Sequence, residues 1–277
     1  MKFGLDVATV KEYHDPNTIV SLASEAEEAG WEGFFIWDTL LYPTSVPVLD
    51  PLVALSAIAV KTIRIKLGAM VTPVPRRRPW KLAREMATLD QLSGGRLVFG
   101  AGLGWLEEEF TGFGEEEDPV IRGQKLDEGL EVLNGLWSGE SFTFEGKHFR
   151  VDGMQMLPKP MQSPRIPVWI AGSWPNRGPF RRAARWDGVY PGKSDGSSLK
   201  PDELGEILEF MKPYMVEGRH FDVVVAGSTP SDPEDGSRIV EPFERLGATW
   251  WLESVSFERG SLDEMRERIA AGPPGPM

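Results

Sequence analysis

Residues 65–103, IKLGAMVTPVPRRRPWKLAREMATLDQLSGGRLVFGAGL, place two apolar runs on either side of a segment with helical periodicity. The runs 65–72 and 96–103 are nearly continuous rather than alternating, as in parallel strands covered on both faces. Between them Pro79 suits a first helical position. Leu82, Met86 and Leu89 share one face, and Gly94-Gly95 stops the helix. Strand, helix and strand in this order form a parallel crossover unit.

The unit repeats in both directions. Further apolar runs lie at 2–7, 33–37, 167–172, 187–191, 221–228 and 248–255. Asp15-Pro16 and Asp50-Pro51 each pair an N-cap with proline at the first helical position. Helical segments are expected near 122–137, 201–216 and 234–246, with a short one at 179–186 and a capping box at Ser261 and Glu264. Pro242 should kink the helix at 234–246 or mark its true start. The tail 272–277, GPPGPM, cannot continue the last helix. Eight strand–helix units predict an α/β fold, a (β/α)8 TIM barrel, as a single domain over 1–277. Residues 140–166 depart from the pattern: FTFEGKHFRVDG reads as a β-hairpin turning at Glu145-Gly146, followed by proline-rich chain, an insertion before the fifth barrel strand.

Composition narrows the chemistry. The 277 residues carry a net charge of −12, which repels a phosphate backbone and argues against nucleic-acid binding. No apolar run is long enough for a membrane span, and the start does not read as a signal peptide, so a cytoplasmic protein is expected. There is no cysteine, hence no disulfide or thiol nucleophile. The three histidines lack metal-ligand spacing, and no GxSxG elbow is present. A barrel mouth with few acid–base groups points to a redox cofactor that brings its own reactivity.

Barrel enzymes build their sites on the loops after the strands. Asp38, after the second run, is a candidate proton relay or hydrogen-bond acceptor; the alternative is a turn cap. Gly172 and Ser173 offer backbone amides before a helix starting near Pro179, with Arg177 and Lys193 adding positive charge for a phosphate. An ordinary turn with surface cations fits equally well. Gly102 and Gly104 either let a flat ring approach or pack a barrel rim. Glu107–Glu109 reads as a solvated helix start and Arg76–Arg78 as a surface basic cluster.

The stretch 67–110, including LARE, ATLD and LSGGR, together with PVWIAGS (167–173), AARWDGVYP (183–191) and GATWWLE (247–253), resembles the luciferase-like monooxygenase superfamily of FMN and coenzyme F420 enzymes. The resemblance implies an isoalloxazine-type ring across the C-terminal mouth. It would be backed by a bulge, often with a non-proline cis peptide, around Ala69, Met70, Val71 and Thr72. It implies phosphate contacts at Ala171, Gly172 and Ser173, more weakly at Arg177, Gly192 and Lys193. Trp37 and Trp105 become candidate walls of the substrate pocket. Where many relatives carry histidines after the second and third strands, this chain has Asp38-Thr39 and Arg77-Arg78. Histidine-dependent proton transfer is therefore not carried over. The implied function is an oxidoreductase acting on a small organic substrate by hydride transfer or oxygen activation. FMN is preferred, because the acidic chain offers little to a polyglutamate tail, with F420 as the alternative. A separate reductase and a homodimer are possible partners, and a non-catalytic flavin-binding protein is the rival reading.

Overall fold

The computed structural model describes residues 1–42 and 45–275. Eight barrel positions are filled by nine strands: β1 (Lys2–Val7), β2 (Gly33–Ile36), β3 (Lys66–Ala69), β4 (Thr72–Pro73), β5 (Phe99–Gly102), and, after the hairpin β6 (Phe142–Glu145) and β7 (Arg150–Met154), β8 (Val168–Trp174), β9 (Gly188–Lys193), β10 (Asp222–Gly227) and β11 (Trp250–Val255). They run in the order β3-β2-β1-β11-β10-β9-β8-β5-β4, all parallel. A Leu67–Leu97 bridge brings β3 to the chain entering β5, so the sheet nearly closes on itself. The run expected as one strand over 65–72 is two: the Met70-Val71 peptide is cis, β3 pairs with β2, and β4 pairs with β5.

The helices are α1 (Pro16–Glu28), α2 (Pro51–Lys61), α3 (Pro79–Leu92), α4 (Glu108–Thr111), α5 (Pro119–Trp137), α6 (Arg177–Ala183), α7 (Pro201–Met211), α8 (Pro233–Arg245) and α9 (Leu262–Ala270). Four start at an Asp-Pro pair whose aspartate accepts backbone N–H groups: Asp15 from Thr18, Asp50 from Val53, Asp118 from Val120, and Asp232 from Glu234 and Asp235. That satisfies donors which have no partner inside the helix. Helix α5 therefore starts three residues before the expected 122. Helix α6 starts at Arg177, before Pro179. Helix α8 runs through Pro242 instead of breaking there. The carbonyl freed by Pro242 belongs to Arg238, an exposed residue, so water can satisfy it. Helix α9 ends at Ala270; Pro276 and Met277 lie outside the described residues. No helix among the described residues is long and apolar enough to cross a membrane.

The hairpin leans on α5, where the Glu128 carboxylate accepts the N–H groups of Lys147, His148 and Phe149. The LSGGR segment has a similarly mechanical role. The buried Arg96 guanidinium donates to the carbonyls of Ala59, Thr62, Ile65 and Ser93, locking the ends of α2 and α3 to the barrel wall. Asp90, also buried, accepts the N–H groups of Met161 and Gln162 and pins the proline-rich chain.

Inside the barrel, Phe35, Trp169 and Trp250 interlock with centroids 5.3, 5.4 and 6.0 Å apart, joined by Met70, Val98, Val224 and Leu252. Their bulk needs glycine opposite: a Cβ on Gly33 would stand 2.6 Å from the Phe35 ring and 2.9 Å from Trp250. Offset and edge-on ring packing adds to the area buried. Phe35→Ala should therefore cost about 3–5 kcal/mol in denaturant unfolding. Ile63→Ala, at a residue 75% exposed, should leave the unfolding midpoint in place.

Candidate functional site

Above the aromatic layer a cleft of about 510 Å³ opens at the C-terminal ends of the strands. One wall is Met70, Val71 and Pro73 at the β3–β4 break, Gly102, Leu103 and Gly104 after β5, and Ala171, Gly172 and Ser173 in β8. Trp37, Asp38, Thr39 and Tyr42 face it, Trp105 and Leu106 stand at the rim, and Asp6 and Tyr190 complete the lining. Sequence reasoning thus named residues that come together: Trp37, Asp38, Met70, Val71, Gly102, Gly104, Trp105, Ala171, Gly172 and Ser173 all border one space.

The other candidates lie elsewhere. Ala69 and Thr72 are buried in the sheet, and Gly192 pairs with Ser173. Arg177 lies over the Phe210 ring at 5.2 Å, and the Lys193 ammonium is 2.7 Å from Glu203. The glycines answer to packing as well as to the cleft. A Cβ on Gly102 would meet Val71 at 2.5 Å, and Gly104, with φ of +87°, has no room beside Phe110.

Two expectations are corrected. Arg76–Arg78 is not a surface cluster and Glu107–Glu109 is not simply a solvated helix start. Arg76 and Arg77 turn inward to Asp38, with nitrogen–oxygen distances of 2.8 and 2.7 Å, while Arg78 stays outside near Trp80. The second nitrogen of Arg76 meets Glu109, whose other oxygen accepts from the Thr39 hydroxyl and the Leu40 N–H. Asp38, Glu109 and Arg76 are buried and Arg77 nearly so. Two acids and two guanidiniums thus sum to zero charge. Burial raises the Asp38 carboxyl above its ordinary value, although the Arg77 and Arg76 guanidiniums beside it pull the other way. The signal in the sequence was the exchange of opposite charges between separate mouth loops, which neither run shows alone.

Asp6 and Tyr190 were not singled out from the sequence. In β1 the side chains alternate: Leu5 and Val7 join the outer core while Asp6 faces the cleft. The Tyr190 hydroxyl donates to Asp6 Oδ2 at 3.0 Å, and Oδ1 has no partner. Burial pushes the Asp6 carboxyl up to about 6, against the lowering effects of the Tyr190 hydrogen bond and of the nearby Trp37 indole. Burial and the neighbouring Asp6 push Tyr190 well above the ordinary tyrosine range. The signal was an acid near the end of the otherwise apolar run KFGLDV.

No Lys or Arg side chain lines the cleft among the described residues, whereas Asp6, Asp38, Glu109 and Glu258 do. The site is a mostly apolar pocket of cofactor size, since ligand sites run from ~300 to ~1,000 Å³. One wall mixes apolar Met70, Val71, Pro73 and Leu103 with the small residues Gly102, Gly104, Ala171, Gly172 and Ser173.

The chain belongs to the luciferase-like monooxygenase family, whose model matches residues 1–198. It is 32% identical over 215 residues to a protein of Nakamurella multipartita named F420-dependent glucose-6-phosphate dehydrogenase, covering 74% of this chain and 60% of that one. A protein of the same name from Microbacterium testaceum is 30% identical over 184 residues, covering 63% and 52%. In fold it is similar to a coenzyme F420 dependent tetrahydromethanopterin reductase from Methanopyrus kandleri, with a TM-score of 0.78 at 19% identity over 97% of each chain. A monooxygenase from Streptomyces bottropensis superposes with a TM-score of 0.75 at 20% identity, over 97% of this chain and 96% of the other.

Both buried acid sites can be probed through stability. Asp6 binds its proton more tightly when folded, so folding loses stability as pH rises from the unfolded value of 3.8 through about 6. Asp6→Asn should remove that penalty. The variant should be more stable than the parent above about pH 6, by on the order of 3 kcal/mol at most, with the difference fading below about pH 4 in urea unfolding curves. Glu109→Leu should cost roughly 3–5 kcal/mol by leaving Arg76 short of a partner, and a compensating Arg76→Met in the same chain should recover part of it.

Proposed function

We propose that this protein is an oxidoreductase that holds a flavin-type cofactor, FMN or F420, in the mouth cleft and acts on a small organic molecule beside it. The observation that carries the reading is the wall from Met70 through Gly172, where Gly102, Gly104, Ala171 and Gly172 stand among the apolar Met70, Val71, Pro73 and Leu103 along a cleft of about 510 Å³. A fused ring system needs such a surface, and the bound cofactor would supply two-electron chemistry that the side chains lack.

In this reading Met70, Val71, Gly102 and Gly104 flank the ring. The cofactor's polar tail is met by the backbone of Ala171, Gly172 and Ser173 and by the side chains of Ser173 and Asn176. Arg177 and Lys193 contribute only by leaving Phe210 and Glu203. Trp37 and Trp105 bound the substrate; Trp105, 82% exposed, is free to fold over it. Asp38 anchors Arg76 and Arg77 and so fixes the two mouth loops, rather than relaying protons.

The two cofactors draw on different observations. The names of the relatives near 30% identity favour F420. The acids along the cleft and the net charge of −12 favour FMN, which carries no polyglutamate tail and would call for a partner reductase. Titration of the purified protein with each cofactor, followed by ring fluorescence, should show saturable binding of one. Ala171→Phe, which fills the cleft, should weaken that binding more than tenfold, a change of about 1.4 kcal/mol or more, without moving the unfolding midpoint. Binding of neither cofactor at high concentration would overturn the proposal.

A further inference from the structure

Once the Asp38–Arg76–Arg77–Glu109 network is set aside as internally paired, Asp6 and Tyr190 are, among the described residues, the remaining hydrogen-bonded ionisable pair in the cleft. We infer that they form a proton relay to the substrate, Tyr190 as the catalytic residue touching it and Asp6 as the positioning acid behind, and that the substrate is an uncharged carbonyl compound or its alcohol. This rests on the cofactor reading above and adds the proton path and the substrate class.

The geometry sets the order of the two groups. Asp6 is buried, with Oδ1 sealed from solvent and without a partner, whereas Tyr190 is partly exposed to the cleft. The 3.0 Å contact between the Tyr190 hydroxyl and Oδ2 suits proton exchange either way. Phe35 of β2 and Ser254 of β11 flank Asp6 in the sheet, and neither ionises. Trp37 is uncharged, Glu258 is an exposed acid at the rim, and Asp38 is already held by two guanidiniums. Among the described residues no cation therefore stands by to fix Asp6 in its ionised form, in keeping with burial pushing its carboxyl up to about 6.

In the reductive direction the cofactor, when bound, would supply a hydride with its two electrons to the substrate carbonyl carbon, and the carbonyl oxygen would need one proton. Tyr190 would give that proton and take the proton of neutral Asp6 in its place, and the carboxylate left on Asp6 would regain a proton from solvent through the Tyr190 hydroxyl. Reduction needs neutral Asp6 and should slow as pH rises through about 6; alcohol oxidation needs the carboxylate and should speed up over the same window. The surroundings of Asp6 set the substrate class. Asp38 and Glu109 are already paired with Arg76 and Arg77, and among the described residues no Lys or Arg lines the cleft, so an anionic group of the substrate placed beside Asp6 meets no free counter-charge there.

The test has one arm that needs no cofactor. Infrared difference spectra of the cofactor-free protein across the titration should show a neutral carboxylic acid that ionises at about pH 6 and is missing in Asp6→Asn. An unchanged acid signal in that variant overturns the relay. With the cofactor loaded, Tyr190→Phe and Asp6→Asn should keep the parent's cofactor affinity. Both should lose about 10²–10⁴ of turnover on a panel of uncharged ketones and aldehydes, and Asp6→Asn should also lose the pH dependence near 6. Parent-like turnover in Tyr190→Phe overturns its role. Turnover of sugar phosphates or keto acids, with none of the uncharged compounds, overturns the substrate class. Failure of both cofactors to bind instead removes the underlying reading, and the infrared arm still judges the pair.

Discussion

The packing of Phe35, Trp169 and Trp250 against one another within the strand ring determines what the mouth can be. Three large rings fill the lower barrel, and Gly33 leaves the volume that lets two of them reach the axis. That packed layer forms the floor of the mouth cleft and separates it from a second hollow at the opposite end of the strands, lined by Lys2, Lys66, Val98, Trp169 and Trp250. Asp6 in β1 and Tyr190 in β9, on the inward face, become part of the polar lining of the cavity.

Above that layer the problem is electrostatic. Loops from β2, β4 and β5 bring two acids and two guanidiniums into a buried place, where unpaired charge is costly. Pairing all four makes them a neutral strut that joins the loops. The acidic character of the mouth is thereby confined to Asp6 and to Glu258 at the rim. An isolated carboxyl beside a tyrosine then lies against an apolar wall, an environment that favours its neutral form.

The barrel was legible because each unit carried its own local signals. Continuous apolar runs marked the strands, and Asp-Pro pairs marked helix starts, including Asp118-Pro119, where the same signature fixes a start expected slightly later. The hairpin was legible from its turn. The break in the third strand was located only through family resemblance, because Ala69-Met70-Val71 is as apolar as any strand centre. In the site, most residues lining the cleft could be found by looking just past the end of each strand. Their chemical state could not. Asp38 looked like a free carboxylate because its partners lie 38 and 39 residues away, and Arg76 and Arg77 looked superficial because basic runs usually are. Asp6 was passed over for lying inside a strand rather than after one, although period-two alternation directs it to the interior.

Arg96 carries one more implication. It closes the LSGGR pattern, among the most recognisable parts of the resemblance, yet its guanidinium is spent on carbonyls between helices and wall, before β5 begins and away from the cleft at the strands' other end. The pattern is a rivet in the frame. In this chain the residues that carry the resemblance most plainly hold the frame together, and the cleft is lined by others.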